Sequence, residues 1–267
     1  FKKTQSLAET NAELAGYQLL RGIKNIESEV RLPSILKVAK LKDSINYVTV
    51  FRAVEGETLS NLFVNAAMTG RAEVVAQAAY LMGRGHGFMH HGSRIKDHFV
   101  PQSIVDLFIH QAESGRCNLP SSFHLNKTTL EGIFRGFKEE AAIVHQDLHG
   151  GNVIYKSGEK IGIIDPSRVS RFFNEGKPTG SPAVDHYSTL KFMEIVAVDS
   201  FVPKEMIKDI QRAYVEGYRA SNPVPFSKNN EIFALYYTEV LNATRGCFAL
   251  NSRVVKKHAK DFREMFE

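Results

Sequence analysis

The chain has 267 residues, 43% of them hydrophobic and 24% charged, with a net charge of +5 and a pI near 9.1. This is the composition of a globular protein long enough for one large domain or two lobes, and it excludes disordered and collagen-like classes. No apolar run reaches the length a membrane span needs, and the two cysteines, Cys117 and Cys247, are too few for a disulfide framework or a zinc site; both read as free thiols of a reducing, cytoplasmic compartment.

The sequence begins at Phe1 without a Met and reads as a fragment, with residues 1–4 as the tail of a strand. A helix is predicted over residues 6–21, because Ala8, Ala12, Ala15, Leu19 and Ile23 recur at helical spacing and Leu14, Tyr17 and Leu20 widen the stripe. Residues 36–38 and the β-branched, aromatic run 47–51 are predicted strands. The second runs into Arg52-Ala53-Val54-Glu55-Gly56-Glu57-Thr58-Leu59, where an apolar strand gives way to acidic residues, a Gly and a Leu.

Beyond it the pattern turns helical, over residues 59–67 and then 72–91. His90 and His91 close the longer helix and read as structural or exposed rather than catalytic. Two further helices are expected between 101 and 140, separated by residues 117–122, a candidate family-specific insert. Residues 170–182, rich in Gly and Pro, read as a loop that leads into a helix through Thr189, Phe192 and Ile195. Helices over 207–218 and 231–250 follow, and the basic tail 253–260 reads as a solvated helix face. Aromatic residues do not gather around the basic ones, so no nucleic-acid partner is predicted.

The most informative stretch is Ile143-Val144-His145-Gln146-Asp147-Leu148-His149-Gly150-Gly151-Asn152-Val153-Ile154-Tyr155, followed by Ile161-Gly162-Ile163-Ile164-Asp165. The two apolar runs form a predicted hairpin that would hold Asn152 and Asp165 at one end. Phosphoryl transfer needs an aligned hydroxyl and neutralisation of the transferred charge rather than covalent chemistry from the protein. Asp147 is placed to accept a hydroxyl proton. Asn152 and Asp165 offer a neutral and an anionic oxygen, which suits magnesium. Gly150 and Gly151 are expected to let the backbone turn sharply between these side chains. His145 and His149 also admit a metal-hydrolase reading, but the further His or Asp clusters that such a site uses are not evident.

Residues 145–152 resemble the catalytic loop of the aminoglycoside phosphotransferase and choline kinase-like families, whose pattern is close to His-Gly-Asp-Leu-His-x-Gly-Asn. Gln146 departs from the usual Gly. The resemblance implies an α+β, protein kinase-like two-lobed fold. Its β-rich N-terminal lobe would span residues 1–55, incomplete here because no glycine-rich phosphate loop is visible, and its larger helical lobe would span 56–267. The implied activity is transfer of the γ-phosphoryl group of ATP to a hydroxyl of a small molecule, with Mg2+ as cofactor and a sugar, amino alcohol or aminoglycoside-like acceptor. Asp147 would be the base, Asn152 and Asp165 the metal ligands, and Asp185 a brace for the catalytic loop. Phe51 would limit the back of the nucleotide pocket, and backbone groups of Arg52 and Val54 would bond adenine.

Glu13 would partner a strand lysine that holds the nucleotide phosphates. Neighbours on a strand face opposite sides, so choosing Lys3 would send Lys2 into the apolar layer beneath the helix, a costly place for an unpaired charge. Lys2 is therefore the expected ligand. A protein Ser/Thr/Tyr kinase and a nucleotide-binding pseudokinase scaffold stay open as alternatives. Against the first stands Asp165-Pro166-Ser167 in place of Asp-Phe-Gly; against the second stands the retained Asp147, Asn152 and Asp165.

Overall fold

The structure is a computed structural model that describes residues 2–42, 44–116, 127–158, 160–199, 202–248 and 260. Phe1, the 117–122 insert with Cys117, the end of the predicted 231–250 helix and most of the basic tail lie outside the described residues.

Strand β1 (Lys2–Ser6) passes directly into helix α1 (Leu7–Gly22). Ser6 makes the transition abrupt: its hydroxyl accepts the Glu9 N–H, and the Glu9 carboxylate accepts the Ser6 N–H in return, a reciprocal capping box. After a single helical turn, α2 (Ile26–Glu29), come β2 (Val30–Arg31), β3 (Ser34–Lys40) and β4 (Asn46–Arg52). β4 lies between β1 and β3 with antiparallel pairing on both sides, so Lys3 stands opposite Thr49. Thr49 and Phe51 are the buried residues of β4, and they mark the face that α1 covers. β3 is exposed along nearly its whole length.

The chain then makes β5 (Glu57–Thr58), α3 (Leu59–Thr69) and the long α4 (Ala72–Ser93). α5 (Gln102–Arg116) and α6 (Lys127–Arg135) precede the hairpin of β6 (Val153–Tyr155) and β7 (Ile161–Ile163). β5 extends the hairpin on one side and β2 on the other, giving the order β2-β7-β6-β5. The 170–182 segment is more ordered than its Gly and Pro content implied. A 3-10 turn, Val169–Phe172, leads into a two-residue hairpin of β8 (Phe173–Asn174) and β9 (Lys177–Pro178). Helices α7 (Pro182–Asp199), α8 (Lys204–Ser221) and α9 (Lys228–Phe248) follow.

Two apolar cores form among the described residues. One gathers α1, α3, α4, α8 and the β6–β7 hairpin around Leu20, Leu59, Met82, Val153, Ile161 and Tyr214. The other gathers α5, α6, α7 and α9 around Phe108, Ile133, Val184, Phe233 and Tyr236. The stretch 141–148 runs between them, with Ile143 and Leu148 in the first core and Ala141 and Val144 in the second. Side chains buried in both packed layers fix its path.

Helices α4 and α8 touch backbone to backbone. A Cβ on Gly83 would overlap the Tyr214 carbonyl, and one on Gly217 would overlap that of Tyr80. This approach brings Tyr214 and Tyr218 of α8 against His86 and His90 of α4.

Candidate active site

The loop of residues 145–152 separates two cavities. The first, about 320 Å³, is lined from above by Lys3, Glu13, Phe51, Arg52 and Val54 and from below by Asn152 and Asp165. Each is an expected nucleotide or metal residue except Lys3, which takes the place expected for Lys2. Lys3 Nζ lies 3.2 Å from Glu13 Oε2 and 3.1 Å from Asp165 Oδ1. The choice of Lys2 assumed that the ligand lysine and the helix use opposite faces of the strand. The structure puts both on one face, because Glu13 comes from that helix and Phe51 packs there against Tyr17, with ring centroids 5.8 Å apart. Burial pushes the Glu13 carboxyl above its ordinary value, against the pull of Lys3.

Asn152 and Asp165 meet through the hairpin. The Asn152 carbonyl accepts the Ile164 N–H at 3.0 Å, which sets Asp165 just beyond the end of β7 at Ile163. The Asn152 side chain donates to the Asp147 carbonyl at 3.0 Å, leaving its amide oxygen as the end available to a ligand. Asp165 Oδ1 is buried and, among the described residues, accepts no hydrogen bond of good geometry; the Lys3 ammonium 3.1 Å away offsets its charge. An anionic and a neutral oxygen lining one cavity, the anionic one buried beside a single ammonium among the described residues, fit a hard divalent cation such as magnesium. Asp165 itself adopts φ +53°, and its N–H donates to the Tyr17 hydroxyl at 3.3 Å. Tyr17 thus joins the site although its sequence signal was only that of an apolar stripe.

The second cavity, about 590 Å³, holds Asp147 and lies on the α5, α7 and α9 side of the loop. Arg168 Nε lies 3.4 Å from Asp147 Oδ2. Sequence reasoning missed Arg168; its only sequence signal is its place three residues after Asp165.

The loop's shape is held from below. Asp185 is fully buried and accepts the N–H of His145 at 2.6 Å and of Gln146 at 2.8 Å. Its Oδ2 also meets the Nε2 atoms of His86 and His90 at 3.1 and 3.2 Å, and their Nδ1 atoms meet Tyr214 and Tyr218. Burial opposes the charge on Asp185, yet the His86 imidazole and the hydrogen bonds from His86 and His90 outweigh it and hold the carboxyl well below the usual range. Burial, reinforced by His86, lowers His90 to about 3. Gln146 is held at φ +61°, a conformation that costs a non-glycine residue about 1–3 kcal/mol. Gln146 thus takes, where the resembling pattern has Gly, a left-handed conformation that glycine adopts at little steric cost.

Gly150 and Gly151 serve space rather than sharp turning. They open a 3-10 turn, Gly150–Asn152, without positive φ, and a Cβ on Gly150 would come within 3.0 Å of the Ser60 nitrogen. His149 Nδ1 accepts the Gly151 N–H at 3.0 Å and its ring stacks on Phe192. Among the described residues, the three potential metal ligands that converge are His86, His90 and Asp185, not His145 with His149. Hydrogen bonds already satisfy that trio.

The same arrangement of strands and helices is found in solved structures of small-molecule kinases. A glucosamine kinase matches over 94% of this chain and 69% of its own, with a TM-score of 0.62 and 11% identity. The chain has the fold of the small-molecule kinases. The GDP and kanamycin complex of APH(2")-IIia matches over 97% of this chain and 82% of its own, with a TM-score of 0.54 and 13% identity. Spectinomycin phosphotransferase APH(9)-Ia, in complex with ADP and spectinomycin, matches over 100% and 82%, with a TM-score of 0.53 and 17% identity. No protein-family model matches the sequence, and a search of curated proteins finds no match. The likeness therefore lies in the fold, and the kinase-like, two-lobed α+β expectation is met at that level.

Proposed function

We propose that the chain is an ATP-dependent, magnesium-requiring phosphotransferase acting on a hydroxyl of a small molecule. The observation that carries this reading is the position of the catalytic loop as a shared wall. Asn152 and Asp165 face the cavity bordered by Lys3 and Glu13, while Asp147 faces the neighbouring one. A nucleotide in the first and an alcohol in the second would meet across the loop, as the reaction requires. Solved neighbours holding GDP with kanamycin and ADP with spectinomycin support the pairing of a nucleotide and a small acceptor in this fold.

In this reading residues 1–55 cover the nucleotide and residues 56–267 carry the loop and the acceptor. Phe51 closes the back of the nucleotide cavity, backbone groups of Arg52 and Val54 bond the base, and Lys3, held by Glu13, reaches the phosphates. Asn152 and Asp165 would hold magnesium, which neutralises phosphate charge when bound. The acceptor oxygen bonds to the γ-phosphorus, the bond from that phosphorus to the β-phosphate oxygen breaks, and ADP leaves. The hydroxyl proton passes to Asp147. A reducing, ATP-supplied cytoplasm fits this reading.

The test is magnesium-dependent ADP release with small alcohols as acceptors, for the wild type and Asp147→Asn. Loss of the base is expected to lower transfer by about 10²- to 10⁴-fold with nucleotide binding retained. Undiminished transfer in the variant would remove Asp147 from its role. Transfer to protein hydroxyls alone would favour a protein kinase, and nucleotide binding without turnover a scaffold.

A further inference from the structure

We propose that the acceptor carries an anionic group, a carboxylate or phosphate, gripped by Arg168 and Arg171; the proposal rests on the phosphotransferase reading and names the substrate class of its acceptor cavity.

Two carboxylates and two guanidinium groups line that cavity, but the carboxylates are already committed. Among its described lining residues the acids are Asp147 and Asp185. Asp185 is fully committed to two backbone N–H groups and two histidines beneath the loop. Asp147 is the base. No further carboxylate lines the cavity among the described residues to meet the ammonium groups of a polycation, which would enter beside two guanidinium groups. Like charges held close in a cleft repel, and a desolvated ammonium needs a partner.

The arginines are arranged to work together. They sit three residues apart at the start and within the 3-10 turn after Asp165, and the Arg171 N–H donates to the Arg168 carbonyl at 3.1 Å. Residues i and i+3 eclipse in a 3-10 helix, so both side chains leave the turn on one side. Both line the acceptor cavity. A pair of planar guanidinium forks suits the oxygens of a carboxylate or phosphate.

Arg168 adds a link to the chemistry. Its Nε lies 3.4 Å from Asp147 Oδ2, a long contact that leaves the guanidinium exchangeable. An anionic group on the acceptor would draw Arg168 away from Asp147 and free that carboxylate for the incoming hydroxyl. Phe108, Phe172 and Phe192 wall the cavity and would cover the carbon frame.

The experiment uses four matched probes, glucose, glucosamine, glucuronate and glucose 6-phosphate, with wild type and Arg171→Gln. Binding is read by saturation-transfer NMR and turnover by ADP release with magnesium and ATP. Binding confined to glucuronate or glucose 6-phosphate supports the proposal. So does a KM that Arg171→Gln raises about tenfold or more, beyond any fall in kcat, the loss of a charged hydrogen bond. The better of the two anions distinguishes carboxylate from phosphate. Preference for glucose or glucosamine, equal effects of Arg171→Gln on all four probes, or no binding by either anion overturns it. Anion binding that needs Arg171 but gives no ADP sustains the anion site and defeats the phosphotransferase reading.

Discussion

Asp185 Oδ1 accepts the backbone N–H of Gln146 at 2.8 Å, and this bond helps to hold Gln146 at φ +61°. The loop of residues 145–152 therefore owes its shape to a buried carboxylate on α7. Asp185→Asn replaces an acceptor of four donors by a group that must itself donate, leaving buried partners unsatisfied. A loss of about 3–5 kcal/mol is expected, the range for removing one member of a buried charged network. Urea unfolding measures it, and a loss below about 1 kcal/mol would show that the loop keeps its shape without the brace.

Gln146 itself offers a second test, since glycine reaches positive φ at little steric cost while a β-branched side chain does not. Gln146→Gly is expected to leave thermal stability near that of the wild type. Gln146→Val is expected to lose about 1–2 kcal/mol. Equal midpoints for Gly and Val would contradict the strained geometry.

The lysine assignment can be decided at the nucleotide. Lys3→Ala removes the ammonium shared by Glu13 and Asp165. It is expected to weaken ATP binding by about ten- to a hundredfold, the equivalent of one charge-assisted hydrogen bond. Lys2→Ala is expected to leave it nearly unchanged. Titration with a fluorescent ATP analogue reads both, and a larger loss at Lys2 would restore the sequence-based choice.

Buried titratable groups predict opposing pH effects. His90, lowered to about 3 by burial, and His145 and His186, lowered for the same reason, stabilise the fold as neutral rings. That stability is present above their ordinary value near 6.5 and declines as the pH falls below it. Glu139 runs the other way. Burial raises it from 4.5 to about 7, despite hydrogen bonds from Ser181 and Ala183, so its contribution is full below 4.5 and is lost as the pH rises toward 7. Relative to wild type, Glu139→Gln should gain melting temperature between about pH 5 and about pH 8. A constant difference across that range would exclude a titrating Glu139.

The parts of the site that could be read from the sequence are those whose neighbours are local. Asn152 and Asp165 lie at the ends of two short apolar strands, and the hairpin that joins them follows from the residues between. The fold resemblance rested on the same stretch. The choice between Lys2 and Lys3 could not be settled locally, because strand alternation defines two faces and only tertiary packing decides which one α1 covers. Arg168 lies at a 3-10 turn without periodicity, and its cavity is walled by α5, α7 and α9 from distant stretches of chain. The hairpin at 173–178 escaped because two-residue strands leave no alternation to detect.

The backbone contact between α4 and α8 sets an order of events in folding. The His86–Tyr214 and His90–Tyr218 bonds each join residues 128 positions apart, and both histidines meet Asp185 beneath the loop. Local helices form quickly, whereas pairings this remote must wait for the closure of long stretches of chain. A chain released from denaturant would thus regain its helical circular dichroism well before it regains turnover.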